Sequence, residues 1–105
     1  MKRLLFALGL CRKAGALVCG TPMICAELPK RRILLVVESS DTSVGTHKKL
    51  TDKCLYYETE HIRINADGET LAAAVGKSGS LAAVAVSDKN LAELVRSACE
   101  EKEIR

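Results

Sequence analysis

Residues 30–50 read KRRILLVVESSDTSVGTHKKL, and this stretch decides the fold. Three basic residues lead into residues 33–38, an apolar run that ends on a single glutamate. A strand that is apolar on both faces belongs in the middle of a sheet that is covered on both sides. The polar loop after it runs into a basic helix start. Positive charge gathered at loops beside such a strand indicates a small nucleic-acid-binding domain.

Helical and extended patterns alternate along the rest of the chain without a repeat or a linker. Apolar residues at helical spacing predict helices over residues 2–13, 21–28, 46–56, 67–75 and from residue 88 onward. Extended runs predict strands over residues 16–19, 33–38, 61–64 and 81–86. Thr21 and Asp67 are expected to cap the helices that they begin. This alternation predicts one α/β domain over residues 1–105, built as a three-layer α/β/α sandwich.

The composition fits a soluble globular domain and narrows the ways in which it can bind nucleic acid. Of the 105 residues, 48% are hydrophobic and 28% are charged, which is ordinary for a folded domain. The aromatic residues are only Phe6, Tyr56 and Tyr57. The core must therefore be aliphatic, and binding by stacking bases on a sheet of aromatic side chains is excluded.

The net charge of +3 is distributed unevenly. Residues 1–53 contain ten Lys and Arg against four Asp and Glu, whereas residues 54–105 contain six against nine. The basic half is predicted to face phosphate groups. The alternative is that these side chains are only solvated surface charges.

Cysteine usage and hydropathy indicate a reducing, cytoplasmic setting. Five cysteines are an odd number, and they include no Cys-x-x-Cys pair. We expect reduced thiols that serve as small hydrophobic side chains, with no metal site and no cofactor. The first residues do not form a secretory signal, and no apolar stretch reaches the roughly 18 residues of a membrane span.

Three loops are candidates for a shared binding site. The first is the glycine turn at Gly20, Thr21 and Pro22, where free backbone N–H groups at a helix start suit a phosphate. An ordinary capped helix is the alternative reading of this turn. The second loop follows the central strand, and the third spans residues 76–80. Loops at the same edge of an α/β sheet can converge on one ligand.

Basic side chains near these loops are candidates for contacts to phosphates, which give affinity but no sequence reading. Lys49 and Lys53 are four residues apart and can share a helix face. Met23 is expected to pack either against an unstacked base or in the core. The complete set of residues predicted to bind RNA is Gly20, Thr21, Pro22, Met23, Lys30, Arg31, Arg32, Ser39, Asp41, Lys48, Lys49, Lys77 and Ser78.

Catalysis finds little support in the sequence. His47 and His61 are far apart along the chain, and no Walker-type loop, dinucleotide fingerprint or paired-carboxylate motif is present. Cys19 or Cys25 could be a nucleophile because a helix N-terminus lowers a thiol pKa. No acid–base partner lies at a recognisable spacing from either. We expect a protein that is not an enzyme, and a cysteine-based redox or acyl-transfer enzyme is the alternative.

Five segments, in this order, resemble the kink-turn RNA-binding ribosomal protein superfamily of the L-seven-Ae and L-thirty-e types. They are LGLCRKAGALVCG (8–20), ILLVVESSD (33–41), HKKLTDKC (47–54), LAAAVGK (71–77) and AVAVSD (83–88). The resemblance is strongest to the short bacterial YlxQ-type paralogues of this superfamily. It covers residues 3–98, which is nearly the whole chain.

This resemblance implies an L-thirty-e-like sandwich with a mixed four-stranded central sheet. It also implies a non-catalytic, cytoplasmic and ribosome-associated protein that binds structured RNA, either ribosomal or kink-turn RNA, through loops at one edge. We expect a monomer. The recognition turn of the family reads Gly-x-Asn-Glu-x-x-Lys, and residues 20–26 (GTPMICA) keep only Gly20 of that motif. The alternative is a protein-interaction module of the same fold that has lost kink-turn binding.

Overall fold

Helices and strands alternate in the computed structural model, which describes residues 2–104, with side chains for residues 2–99. The secondary structure elements, in chain order, are α1 (Lys2–Lys13), β1 (Leu17–Cys19), α2 (Thr21–Glu27), β2 (Leu35–Glu38), α3 (Val44–Tyr56), β3 (Glu60–Arg63), α4 (Gly68–Ala74), β4 (Ala83–Val86) and α5 (Lys89–Ile104). A 3₁₀ turn, Leu28–Lys30, follows α2. Within this described part of the chain, no helix has the length and apolarity needed to cross a bilayer.

The four strands form one mixed sheet in the order β1-β4-β2-β3. Strand β4 runs antiparallel to both β1 and β2, whereas β2 and β3 are parallel. Strands β1, β2 and β3 therefore end where β4 begins. We call this the carboxyl end of the sheet, and we call the other, where β4 ends, the amino end. The prediction of a mixed four-stranded sheet is confirmed.

Both faces of the sheet are covered because its central strands are apolar throughout. Every residue of β2 and β4 is buried. Leu35 and Val37 of β2 pack in a core formed with α1, α4 and α5. Val36, between them, packs in a second core with α2 and α3. Successive residues of a strand point to opposite faces, so this division produces the predicted three layers.

The two predicted helix caps have different outcomes. The Asp67 side chain accepts a hydrogen bond from the Thr70 N–H at 2.8 Å and caps α4 as predicted. Thr21 does not cap α2. Gly20 occupies the cap position with φ 92°, and no side-chain hydrogen bond caps the start of this helix. A positive φ of this size favours glycine. The buried Thr21 hydroxyl has no hydrogen-bond partner among the described residues.

Candidate nucleic-acid interface

Three loops meet at the carboxyl end of the sheet and are joined by backbone hydrogen bonds. The Gly20 N–H donates to Ala83 O at 3.0 Å, and the Ser39 N–H donates to Ala82 O at 2.8 Å. The Leu81 N–H donates to Gly68 O at 3.0 Å. The residues from the predicted set that lie in these loops, or in the α2 turn beside them, are Gly20, Thr21, Pro22, Met23, Ser39, Asp41, Lys77 and Ser78.

The run Lys30, Arg31 and Arg32 lies at the amino end of the sheet instead. These residues precede β2, and the strand separates them from the loops that follow it. Lys30 Nζ lies 3.3 Å from Oε2 of Glu27, and a guanidinium nitrogen of Arg32 lies 3.8 Å from Oε1 of the same carboxylate. The Arg31 guanidinium donates to Tyr57 O at 3.3 Å. The run therefore lies apart from the loops at the carboxyl end of the sheet.

The two predicted lysines of α3 lie within its first two turns, close to the carboxyl end of the sheet. Lys48 Nζ donates to Oδ2 of Asp52 at 2.9 Å, and this hydrogen bond raises the pKa of Lys48. Lys49 is exposed, as is Lys77 in the loop before β4. Neither Lys49 nor Lys77 forms an ion pair with a residue that the structure describes. Their ammonium groups are therefore available to an anionic ligand.

A buried carboxylate lies beneath this surface. Glu38, the last residue of β2, is fully buried. The His47 Nδ1–H donates to its Oε2 at 2.8 Å, and the His61 Nε2–H donates to its Oε1 at 2.6 Å. Burial raises the pKa of Glu38, but hydrogen bonds from His47, His61 and Thr42 outweigh it and hold the pKa below its ordinary value. Arg63 Nε, 3.6 Å from Oε2, adds positive charge.

This cluster was not predicted from the sequence, in which the two histidines lie far apart. The parallel pairing of β2 with β3 aligns His61 with Val36, two residues before Glu38 on the same face of the sheet. The first turns of α3 then bring His47 to within 6.1 Å of His61, measured between ring centroids. A charged residue at the end of an otherwise apolar strand is the signal that could have indicated the cluster.

The loop after β2 is held by its own polar side chains. The Ser39 hydroxyl donates to Oδ1 of Asp41 at 3.1 Å, and the Gly68 N–H donates to the same oxygen at 2.9 Å. The Arg63 guanidinium donates to the carbonyls of Ser39 and Ser40 at 3.3 and 3.1 Å. Ser39 is fully buried, and its hydroxyl is directed into this network and not to the surface. Asp41 is engaged in positioning α4 against this loop.

Arg12 is a further basic residue near these loops and lies outside the predicted set. Its guanidinium donates to Val75 O at 2.7 Å, at the end of α4. Arg12, Met23 and Lys77 line a common surface hollow beside β1, together with Cys19 and Glu27. The hollow therefore brings two residues of the predicted set, Met23 and Lys77, next to Arg12 of α1.

The Glu38 cluster is also the place where the structure could hold a metal ion. One ligand atom from each of Glu38, His47 and His61 lies within 4.8 Å of the others. No set of metal ligands was predicted from the sequence, and the structure brings these three side chains together from β2, α3 and β3. Two imidazoles and a carboxylate are ligands that zinc accepts.

Comparison with known proteins gives relatives along most of the chain, although no protein-family model matches it. The RNA-binding protein YlxQ of Bacillus subtilis is 34% identical over 85 residues, which cover 81% of this chain and 83% of the relative. The RNA-binding protein YlxQ of Enterococcus faecium is 31% identical over 62 residues, covering 59% of this chain and 60% of the relative.

Solved structures share the fold. A protein of unknown function from Bacillus halodurans superposes with a TM-score of 0.80 at 29% identity, covering 91% of this chain and 99% of that one. The 15.5 kD RNA-binding protein of Giardia lamblia also superposes with a TM-score of 0.80, covering 98% of this chain and 87% of that one. Its identity of 15% supports the fold alone. On the identity and coverage of the Bacillus subtilis relative, the chain belongs to the YlxQ family, within the L-seven-Ae and L-thirty-e superfamily.

Proposed function

We propose that this chain binds structured RNA through the carboxyl end of its sheet. The observation that carries the proposal is the 34% identity, over 81% of the chain, to a protein named for RNA binding. The charges of this end support it. Three of its carboxylates, at positions 38, 41 and 67, accept hydrogen bonds within the fold, whereas Lys49 and Lys77 have no ion-pair partner among the described residues.

Phosphate contacts supply most of the affinity in this proposal. Lys49 lies on α3, and Lys77 lies in the loop before β4. Arg12 of α1 lines the same surface hollow as Lys77. Basic side chains at separate elements can follow a folded backbone, since each meets a different phosphate. Binding of this kind weakens as salt rises, because each contact releases condensed counterions.

Base reading is the weaker part of the proposed interface. Pro22, Met23 and Ala26 occupy positions where the family motif has polar readers. None of these side chains can donate a hydrogen bond to a base edge, and each good contact of that kind is worth about 1–3 kcal/mol of discrimination. Met23 is 55% exposed and faces the hollow with Lys77, so it can pack against an unstacked base.

The finer parts of the proposal concern the RNA and its setting. We propose ribosomal or kink-turn RNA as the ligand, bound by a monomeric, non-catalytic and cytoplasmic protein that associates with ribosomes. Sequencing the RNA recovered with protein purified from its native cells would identify the ligand directly. Recovery of messenger fragments alone, without ribosomal or kink-turn RNA, would contradict this part.

A fluorescence anisotropy titration tests RNA binding and its specificity together. The ligands are a kink-turn RNA, the same RNA with its sheared G·A pairs replaced by Watson–Crick pairs, and a plain duplex. Each is titrated at two salt concentrations. We expect salt-sensitive binding with a modest preference for the kink-turn. If none of the three RNAs shows salt-sensitive binding, RNA binding is rejected. Equal affinity for all three would reject only kink-turn specificity.

A protein-interaction module of the same fold is the second candidate. It is favoured by exposed apolar side chains at or beside the carboxyl end of the sheet, namely Met23 and Val44, which is 87% exposed. This candidate predicts no RNA affinity in the anisotropy titration. It also predicts that Val44→Ser abolishes capture of a protein partner. If the protein instead binds RNA through phosphates, the RNA affinity of Val44→Ser should equal that of the wild-type protein.

A cysteine-based enzyme is a third candidate, which the family relationship disfavours. It requires a thiol at Cys19 or Cys25 that reacts rapidly with an alkylating reagent at neutral pH. Both residues are half-buried. Mass spectrometry after brief iodoacetamide treatment of the folded protein measures this reactivity. We expect slow labelling of both, with the unfolded protein as the reference rate.

A further inference from the structure

The geometry points to a binding site for a divalent transition-metal ion, most suitably Zn²⁺, formed by Glu38, His47 and His61. Its residues lie behind the proposed RNA surface, and the inference does not depend on RNA binding. The ligand atoms would be a carboxylate oxygen of Glu38, Nδ1 of His47 and Nε2 of His61. Zinc sites with three protein ligands of this kind leave a fourth position for water.

The observed distances lie close to those that zinc requires. The His47 Nδ1 and His61 Nε2 atoms lie 2.8 and 2.6 Å from the Glu38 carboxylate oxygens. Zinc bonds of about 2.1 Å place two tetrahedral ligand atoms about 3.4 Å apart. Each imidazole must therefore withdraw by roughly 0.6 to 0.8 Å for the metal to enter. All three ligand atoms already lie within 4.8 Å of one another.

The burial of the three residues suits a site with one open side. Glu38 is fully buried, and the side chain of His61 is 14% exposed. The side chain of His47 is 41% exposed, so a hydrated ion can reach the cluster on its side. The ligands come from the end of β2, from α3 and from β3. A bound ion would therefore join three elements next to the loop after β2.

Metal binding would replace two hydrogen bonds by two metal bonds. Each nitrogen that now donates to Glu38 would become a ligand, and a neutral imidazole then carries its proton on the other ring nitrogen. His47 would move its proton from Nδ1 to Nε2, and His61 would move its proton from Nε2 to Nδ1. This pair of tautomer changes is a signature that no purely hydrogen-bonded cluster produces.

Arg63 is the group that opposes a cation here. Its Nε lies 3.6 Å from Oε2 of Glu38, so it repels a metal ion while it stabilises the carboxylate. The guanidinium also donates to backbone carbonyls of the loop after β2. We therefore expect Arg63→Gln to bind Zn²⁺ more tightly than the wild-type protein. A purely structural cluster would show no such gain.

Isothermal titration of the metal-free full chain with Zn²⁺, in the absence of RNA, tests the site. We expect one tight equivalent in the wild-type protein. His47→Ala removes a half-exposed ligand and should weaken binding by more than the roughly 10- to 100-fold that an outer-shell change costs. Asp52→Asn is the matched control, because it removes an exposed carboxylate of the same helix and should leave Zn²⁺ affinity unchanged. Thermal unfolding without metal confirms that each variant is folded.

The free cysteines are the other possible zinc ligands, and Co²⁺ distinguishes them. Cobalt bound to nitrogen and oxygen ligands lacks the thiolate charge-transfer band that cysteine ligation produces. We expect no such band, together with the two tautomer changes in nitrogen NMR spectra of the imidazoles. The site is rejected if the wild-type protein takes up no Zn²⁺, if His47→Ala binds it unchanged, or if the thiolate band appears. RNA affinity can fail or persist independently of each result.

Discussion

The two ends of the sheet differ in how their charges are used. At the amino end, Lys30, Arg31 and Arg32 form the densest basic run of the sequence, yet their contacts are exposed to solvent. At the carboxyl end the basic residues are scattered along the sequence, and a fully buried glutamate lies beneath them. If the proposed interface is right, the densest run of charge lies away from the RNA, and loops that buried polar groups hold in place form the binding surface.

The contrast has an energetic origin. An exposed ion pair contributes about 1 kcal/mol or less, because water competes for both partners. A buried carboxylate must be compensated, and removing one partner from such a cluster costs several times more. The carboxyl end should therefore be the end where single substitutions disturb both stability and binding.

Removal of the buried carboxylate is the strongest test of this contrast. Glu38→Ala leaves two imidazoles and the Arg63 guanidinium without their shared acceptor. We expect the free energy of unfolding to fall by about 3–5 kcal/mol, measured by urea denaturation at neutral pH. Glu27→Ala at the amino end, which removes the partner of Lys30 and Arg32, should cost about 1 kcal/mol or less. Equal losses in the two variants would remove the distinction between the ends.

A second pair of variants compares crowding at two helix starts. A Cβ built at Gly68 would lie 2.9 Å from Leu81 O, and closer still to the Ser80 hydroxyl. Backbone must move to accommodate it, so we expect Gly68→Ala to destabilise the protein by about 1–3 kcal/mol. A Cβ at Gly45 of α3 meets no described atom within 4 Å. Gly45→Ala should therefore stabilise by up to about 1 kcal/mol in the same denaturation assay.

Several features of the fold can be predicted because they depend on short-range pattern. The apolar run at residues 33–38 indicates a central strand. Asp67 can be recognised as a helix cap from the residues next to it alone. The Glu38 cluster depends on the register of a parallel strand pair, which no local pattern specifies. His61 lies 23 residues from Glu38 along the chain and 2.6 Å from it in space.

The position of the basic run could have been inferred from the sequence. Residues that precede a strand lie at the opposite end of the sheet from residues that follow it. Lys30 and Ser39 are separated by β2 and cannot share a site formed by the loops at one end. The identity of the α2 cap was less accessible, because threonine and glycine are about equally favoured at a helix cap and the positive φ that selects Gly20 is not visible in the sequence.

RNA binding should respond differently to charge removal at the two ends. We compare two double variants that remove the same number of positive charges, Lys49→Ala with Lys77→Ala, and Lys30→Ala with Arg32→Ala. Each lost phosphate contact should lower the magnitude of the slope of log affinity against log salt by about 0.7–0.9. We expect this change only in the first pair, measured by anisotropy. A larger change in the second pair would transfer the proposed interface to the amino end.

The smallest expected effect concerns the exposed cap at the carboxyl end of the sheet. The Thr70 N–H donates to the Asp67 carboxylate, and this bond, reinforced by the Thr70 hydroxyl, holds the pKa of Asp67 below its ordinary value of 3.8. A lowered pKa in the folded state means that the stabilisation is present above the unfolded pKa and is lost as pH falls through the folded pKa. Asp67→Asn keeps a capping oxygen that does not titrate. Its urea midpoint should therefore fall less than that of the wild-type protein between about pH 5 and about pH 2. Parallel curves for the two proteins would mean that the cap carries no charge-dependent stability.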